Sequence, residues 1–406
     1  MNTGNKYFQN NIDFFILCLC SIAALFNLSA MPNVINSIAK EFSLEYKDTS
    51  KLIYYFMFPY GIGALSVVFI HRLINRYKSL LLSMSVLFIL NLLISASNNF
   101  SIILLLRSIM GFFSCIVIPT NLTIIKDIYE KTKTEKIGYL FGINAISSIT
   151  ATLLTGFLAW QYFFLIPGLI SGIALLLLIF IFHKQAVISL DQQHKSGILR
   201  NINNYLLIFR YKNKRSIFFL IYINSFICTG FYAYLGYYLN NVLHYSLKHT
   251  SYILTSSIIG SICINFIIGK LEVILGKKKN IRYGFFLLSL VFILFSLNKI
   301  FILFIPVIFF YGMSRALIHN TLVSSFLDFP RRLTNNASSL NSFIVFLSGA
   351  SSVRIMYIFY NALGFINSIL VISLGIFILN CIYMIDWKYF SLHDKNIKKK
   401  NNRFII

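Results

Sequence analysis

The chain has 406 residues, 57% of them apolar and only 12% charged, with a formal net charge of +24. So apolar a composition excludes an ordinary soluble domain, in which about a quarter of residues are charged, and a disordered chain, which needs the opposite balance. A charge of +24 alone would suggest a nucleic-acid binder, but its distribution along the chain gives it another purpose.

In chain order, twelve apolar stretches are each about long enough to cross a ~30 Å hydrocarbon core, which takes roughly 20 helical residues. They run Phe14–Met31, Ile53–Ile70, Leu80–Ala96, Ile102–Ile125, Ile137–Ala159 and Tyr162–Phe182, then Ile217–Leu239, Tyr252–Ile268, Ile281–Leu297, Ile300–Phe326, Leu340–Tyr360 and Leu363–Ile385. Of the 36 Lys and Arg residues, 28 fall in the N-terminal tail, in the gaps after stretches two, four, six, eight and ten, and in the C-terminal tail. Five (Lys40, Lys47, Lys51, Lys248, Lys299) occupy the other gaps, and three (Arg107, Arg315, Arg354) lie well within apolar stretches, Arg282 at the very start of the ninth being counted with the gap before it. Lys- and Arg-rich loops stay cytoplasmic, which predicts both termini inside and an even number of crossings.

The net charge therefore needs no nucleic acid to explain it. Basic loops at a membrane surface meet anionic headgroups at about 1 kcal/mol per residue, and Lys398-Lys399-Lys400 reads as a solvated tail. The first apolar stretch lacks a basic leader, having only Lys6 before it, so it is read as a crossing and not as a cleaved signal. All six Cys lie within apolar stretches, with no Cys-x-x-Cys and no His cluster. Neither a disulfide framework nor a metal site is expected, and no cofactor. Lys outnumbers Arg 24 to 12, and Ile, Asn, Phe and Tyr are abundant. That bias is typical of an AT-rich genome, so some Asn and Tyr are expected to carry no functional meaning.

The longest gap divides the stretches six and six. The predicted plan is a bundle over residues 1–182, a cytoplasmic linker over 183–216, a second bundle over 217–385 and a basic tail over 386–406. Equal halves suggest an internal repeat. The gap after stretch two, His71-Arg72-Leu73-Ile74-Asn75-Arg76-Tyr77-Lys78, has a counterpart after stretch eight, Gly269-Lys270-Leu271-Glu272-Val273-Ile274-Leu275-Gly276-Lys277-Lys278. Both read as short basic turns.

On these residues the chain resembles the major facilitator superfamily, which carries a Gly-x-Leu-x-Asp-Arg-x-Gly-Arg-Lys type motif in both loops. Gly269, Leu271, Gly276, Lys277 and Lys278 match the second copy, while Asn75-Arg76-Tyr77 stands in the first for Asp-Arg-aromatic. Arg107, Gly111 and Pro119 are similar to the family's fourth-helix element. Ala30-Met31-Pro32 and Trp160 to Pro167 resemble elements of its drug- and metabolite-efflux branches. The resemblance implies an all-α membrane protein of twelve transmembrane helices in two pseudo-symmetric six-helix bundles. It implies a multi-pass carrier of the cell inner (plasma) membrane, a monomer, moving a small organic solute by alternating access, with helices 1, 4, 7 and 10 lining the path.

The intramembrane polar residues are the candidate site. A charge near the bilayer centre is costly and faces a cavity or a partner. Arg107 is read either as a cavity residue or as a side chain snorkelling to the outer interface; Arg354 is read as snorkelling. Arg315 and His319 share a helix face, with Asn320 beside them, as a functional or structural polar patch. Asn27, Asn121, Tyr222, Asn224, Thr229 and Tyr232 complete the expected cavity lining, with Asn265 and Asn341 as further amides. Each amide is read as facing the cavity or bridging helices. Asp127 and Asp328 close equivalent helices, either as solvated carboxylates or as gating partners, Asp127 of Arg76 and Asp328 of Lys277 or Lys278. The small residues Gly138, Gly142, Ser147, Ala151 and Thr155 read as a helix-packing face.

No Asp or Glu lies well inside any stretch. That leaves proton coupling open, with His319 as the deeply placed titratable group. A neutral to basic cavity predicts a neutral or anionic solute over a lipophilic cation. An efflux carrier is the leading expectation. An uncoupled facilitator or metabolite importer, and a decayed transporter serving as scaffold or sensor, are the alternatives. An enzyme is not expected: no nucleophile–base pair stands out, and Gly269 to Lys277 has the wrong spacing for a phosphate-binding loop.

Overall fold

A computed structural model describes residues 3–129, 132–180, 198–298, 300–326 and 331–381. Among these the regular structure is all helical: α1 (Thr3–Glu41), α2 (Tyr46–Thr49), α3 (Lys51–Ile74), α4 (Arg76–Ser95), α5 (Phe100–Ile128), α6 (Lys133–Leu154) and α7 (Tyr162–Phe180). After them come α8 (Ile198–Arg210), α9 (Lys212–Tyr237) with a π-helical turn Tyr238–Val242, α10 (Leu247–Leu297), α11 (Phe301–Phe326) and α12 (Arg331–Leu363). A last helix, α13 (Phe365–Cys381), is apolar and shorter.

Ten of these helices are long and apolar enough to cross a membrane. One of the ten, α10, is 51 residues long, about 75 Å of helix at 1.5 Å per residue, which no single crossing needs. It folds back on itself at Gly276, whose φ of 78° and ψ of 153° are not helical. Leu73, Ile102, Leu105, Phe180, Phe266 and Ile302 are among the exposed apolar side chains, as expected of helices that face lipid.

Three boundaries differ from the sequence reading. α1 does not stop at Pro32 but runs on to Glu41. Val34, Ile35 and Ile38 keep an apolar face buried beyond the proline, and tertiary packing there outweighs the lost N–H. The second basic loop is not a loop over its length: Gly269 to Leu275 is helical, and the chain turns at Gly276 alone. The first is equally brief, with Asn75 (φ 46°, ψ 168°) between α3 and α4 and its side chain accepting from the Lys78 N–H. Equivalent positions of the two halves thus turn on one residue of positive φ, where Gly is free and Asn is better tolerated than most.

α1 packs on α5, α6 and α7, and α3 on α4 and α5; in the second half α9 packs on α11 and α12, and α10 on α11. Between these groups α3 meets α12, α1 meets α9, and α6 meets α10. The α3–α12 seam is closely packed. Tyr60 stacks on Phe346 with ring centroids 3.7 Å apart, and Gly61 faces the backbone of Phe343 and Leu347. α8 lies across this seam, with Tyr205 donating to the Leu65 carbonyl of α3 (3.2 Å) and Asn204 to Asn336 of α12 (3.4 Å).

Candidate functional site

The contacts that shut one end of the bundle start at Pro32. Its carbonyl lies directly against Gly236 of α9, where any side chain would overlap it. One residue on, Asn33 donates to Oγ1 of Thr155, the C-cap of α6 (2.7 Å), and to the Leu247 carbonyl of α10 (3.2 Å), and accepts from Asn240 Nδ2 (3.1 Å). Asn241 donates to Asn36 one helical turn further (3.4 Å). Both donors sit on the π-helical turn after α9, a departure from α geometry that often marks a functional position. Beside them the Tyr46 ring of α2 fills a socket of Tyr237, Tyr234 and Tyr357, at 4.7, 5.0 and 5.7 Å between centroids. Gly156, just past α6, abuts the backbone of Lys248. Glu41 at the end of α1 accepts from the Trp160 indole N–H (2.6 Å) and from Gln161 (3.2 Å), which fixes the start of α7 to the same end.

Below this closed end, α9 and α11 carry the polar patch. Tyr232 lies one helical turn before Gly236 and stacks with Tyr311 at 6.4 Å. The Tyr311 hydroxyl donates to the Cys228 carbonyl (2.7 Å), and Arg315 follows one turn along α11. Arg315 is exposed, with Tyr311, Cys228 and Tyr232 within electrostatic reach. His319 is half-buried one turn further, within electrostatic reach of Arg315. Asn224 belongs to the same neighbourhood through Cys228, whose thiol faces its Oδ1 at 3.6 Å.

The other expected lining residues are held elsewhere. Arg107 is 1% exposed. Its guanidinium lies 4.4 Å from the centroid of Phe56 and 5.7 Å from that of Phe164, and donates to the Met110 sulfur. It neither snorkels nor joins Arg315: cation–π contacts hold it inside the first group of helices. Asn121 bridges α5 to α1, donating to the Leu17 carbonyl and to Ser21 Oγ, both at 2.8 Å. Asn320 donates to Asn265 between α11 and α10 (2.6 Å). Tyr222 is bonded to Ser351 (3.0 Å) and lines a separate apolar cleft between α9, α12 and α13. Thr229 lies beside Gly349 and shares that junction with Met57 at the α3–α12 seam. Arg354 is exposed near the end of α12. The Asn27 side chain lies outside the described residues, although its backbone is part of α1.

At the opposite end, Arg76 and Asp127 form an ion pair between the Asn75 turn and the end of α5. Both partners belong to the first half, so the pair ties that half together. Gly269 is exposed, with open space around it, and Lys277 and Lys278 are exposed after the Gly276 turn. Asp328, the linker around Lys184 and the tail from residue 386 lie outside the described residues. In α6, Ala151 and Thr155 are buried, but no atom lies within 4 Å of a Cβ built at Gly138 or Gly142. The small-residue face packs near Asn33 and is open towards the basic end.

Sequence reading missed the asparagines of the closed end, together with Tyr46, Gly236 and Tyr311. One signal was available: Asn33 and Asn36 follow Pro32 at one-turn spacing, and Asn240-Asn241 stand as a pair beyond a run of tyrosines. Attributing Asn and Tyr to codon usage hid it.

Residues 17–353 match the Major Facilitator Superfamily. An uncharacterized transporter of Buchnera aphidicola subsp. Schizaphis graminum (strain Sg) is 21% identical over 359 residues, 85% of this chain and 83% of that protein. The crystal structure of the nucleoside transporter NupG superposes with a TM-score of 0.71 at 14% identity, covering 93% of this chain and 100% of NupG. That of one of its point variants gives the same score, covering 92% and 99%. At that identity the superposition speaks for the fold alone. With the match spanning most of the helices, the chain belongs to the Major Facilitator Superfamily and is a membrane transporter, not an enzyme.

Proposed function

We propose that the protein carries a small organic solute by alternating access, with two bundles of six crossings rocking about the α3–α12 seam and both termini cytoplasmic. The observation that carries this reading is the asymmetry between the ends. The Pro32–Gly236, Asn33–Asn240 and Tyr46–Tyr237 contacts close one end, while Arg315 is accessible beneath them. The closed end bears few basic residues and is assigned to the outside; the state described is inward-facing, with the solute site around Arg315, Tyr232 and His319. The charge alternation supports the orientation, because it places the Arg76 end in the cytoplasm.

Export is the direction favoured by the Ala30-Met31-Pro32 and Trp160 to Pro167 elements, which resemble efflux branches. Import, or uncoupled facilitation, is compatible with the same cycle and is favoured by the lack of Asp and Glu deep in the apolar stretches. Purified protein in liposomes, loaded with labelled solute on one side only and followed with and without a proton gradient, tests the carrier and its coupling together. Nucleosides are the first solutes to try, because the superposing structure is that of a nucleoside transporter. Solute-specific flux that saturates supports the carrier. Its absence for every solute of a broad panel favours a scaffold or sensor.

A further inference from the structure

We infer that the transported solute bears an anionic group, a carboxylate or a phosphate, and that Arg315 is the residue that receives it. The inference rests on the solute site proposed above and names its chemistry.

Helical phase shows which way Arg315 faces. Ile302, Leu303 and Phe310 are the exposed apolar residues of α11 and mark its lipid side. At about 100° per residue, Arg315 falls on the far side of the helix, in line with Phe304, Ile308 and Tyr311, all fully buried. An exposed residue on that line opens to the interior of the protein and not to lipid. A snorkelling arginine would stand on the other face.

The guanidinium has spare valence. Tyr311 spends its proton on the Cys228 carbonyl and so has only an acceptor to offer Arg315, one turn away on the same helix. A guanidinium carries five N–H donors in a planar fork, and one hydroxyl leaves most of them unused. Among the described residues no carboxylate pairs with Arg315. The positive charge thus stands on the inward line of α11 with no carboxylate partner among the described residues, about two turns below the Pro32–Gly236 contact. A planar fork with free parallel donors matches a carboxylate or phosphate bidentately and discriminates against a cation. Tyr232, stacked on Tyr311, offers a ring for the solute body, and the His319 imidazole adds a hydrogen-bonding edge.

The test uses the full chain in detergent and matched pairs of probes that differ only in charge: adenosine and adenosine 5′-monophosphate, glycerol and glycerol 3-phosphate, lactamide and lactate. Thermal stabilisation is measured for the parent protein, Arg315→Ala and Arg315→Lys. The expected result is that at least one anionic member stabilises the parent, that its apparent affinity falls tenfold or more in Arg315→Ala, and that Arg315→Lys is intermediate because it keeps the charge but not the fork. Phosphate-bearing and carboxylate-bearing arms identify the group. If Arg315→Ala does not fold, the Lys variant and Arg315→Gln carry the comparison. Stabilisation by neutral members alone, unchanged in the variants, overturns the inference and leaves the carrier standing. No stabilisation by any anionic member overturns it also. Absence of flux for every solute in liposomes removes the carrier reading as well.

Discussion

Asn240 donates from its Nδ2 to Asn33 Oδ1 at 3.1 Å, joining the π-helical turn after α9 to the proline-bearing stretch of α1. Its neighbour Asn241 does the same to Asn36. The pairs lie on opposite halves of the chain and tie the two together at the closed end. A hydrogen bond of this kind contributes about 1 kcal/mol net, enough to shift a two-state population severalfold. Cysteines at positions 36 and 241, in a background with the six native cysteines replaced by Ser, are expected to form a disulfide on oxidation. Transport should stop when the bond forms and return on reduction. Continued transport in the cross-linked protein would show that this end does not need to open.

Gly236 and Gly312 separate gating from folding. A methyl at 236 meets the Pro32 carbonyl between halves, whereas one at 312 meets the Ser257 carbonyl between α11 and α10. Overpacking costs about 1–3 kcal/mol. Gly312→Ala is expected to lower the melting temperature in detergent. Gly236→Ala should leave it nearly unchanged and open the Pro32 end, read as faster labelling of a cysteine introduced at Thr229.

Arg76 and Asp127 are partly exposed, with side chains 11% and 21% accessible, so screening by solvent keeps the pair at about 1 kcal/mol or less. Asp127→Arg and Arg76→Asp should each slow transport, and the charge-swapped double variant should recover a good part of it. Equal transport in all three would make the pair incidental.

The single-residue turns give opposite expectations. Gly276→Ala forces a Cβ into φ 78°, ψ 153° and is expected to cost about 1–3 kcal/mol. Asn75→Gly relieves φ 46° and should cost little once its contact to the Lys78 N–H is lost. Melting curves of the two variants decide it.

Loss of the Trp160 donor bares Glu41. Trp160→Phe keeps the ring contacts with Phe42 and Phe164 but removes the 2.6 Å bond to the carboxylate. A hydrogen bond to a charged group contributes about 1.5–3 kcal/mol, and Gln161 retains part of the interaction. A lower melting temperature is expected, with a smaller drop for Gln161→Ala.

The helical crossings were legible in the sequence because a bilayer imposes length and composition on every crossing, and both survive in a one-dimensional reading. The role of a polar residue was not, since it depends on helical phase and on what lies opposite. Arg107 and Arg315 look alike in sequence, each a lone Arg in an apolar run. One is packed between Phe56 and Phe164; the other is exposed beside Tyr311. Asn121 and Asn320, for which the sequence leaves cavity lining and helix bridging both open, bridge helices. The residues that join the two halves, Asn33 and Asn240, are 207 positions apart, and no local pattern links them.

The stack of Tyr60 on Phe346 bears on the electrical integrity of the membrane. Flat rings 3.7 Å apart and 17° from parallel slide over one another without parting, so they can keep their seal while the halves tilt. Were the halves to rock about this seam as proposed, rings in that geometry would keep it shut to ions through the cycle, and the gradients of the cell would not be short-circuited there.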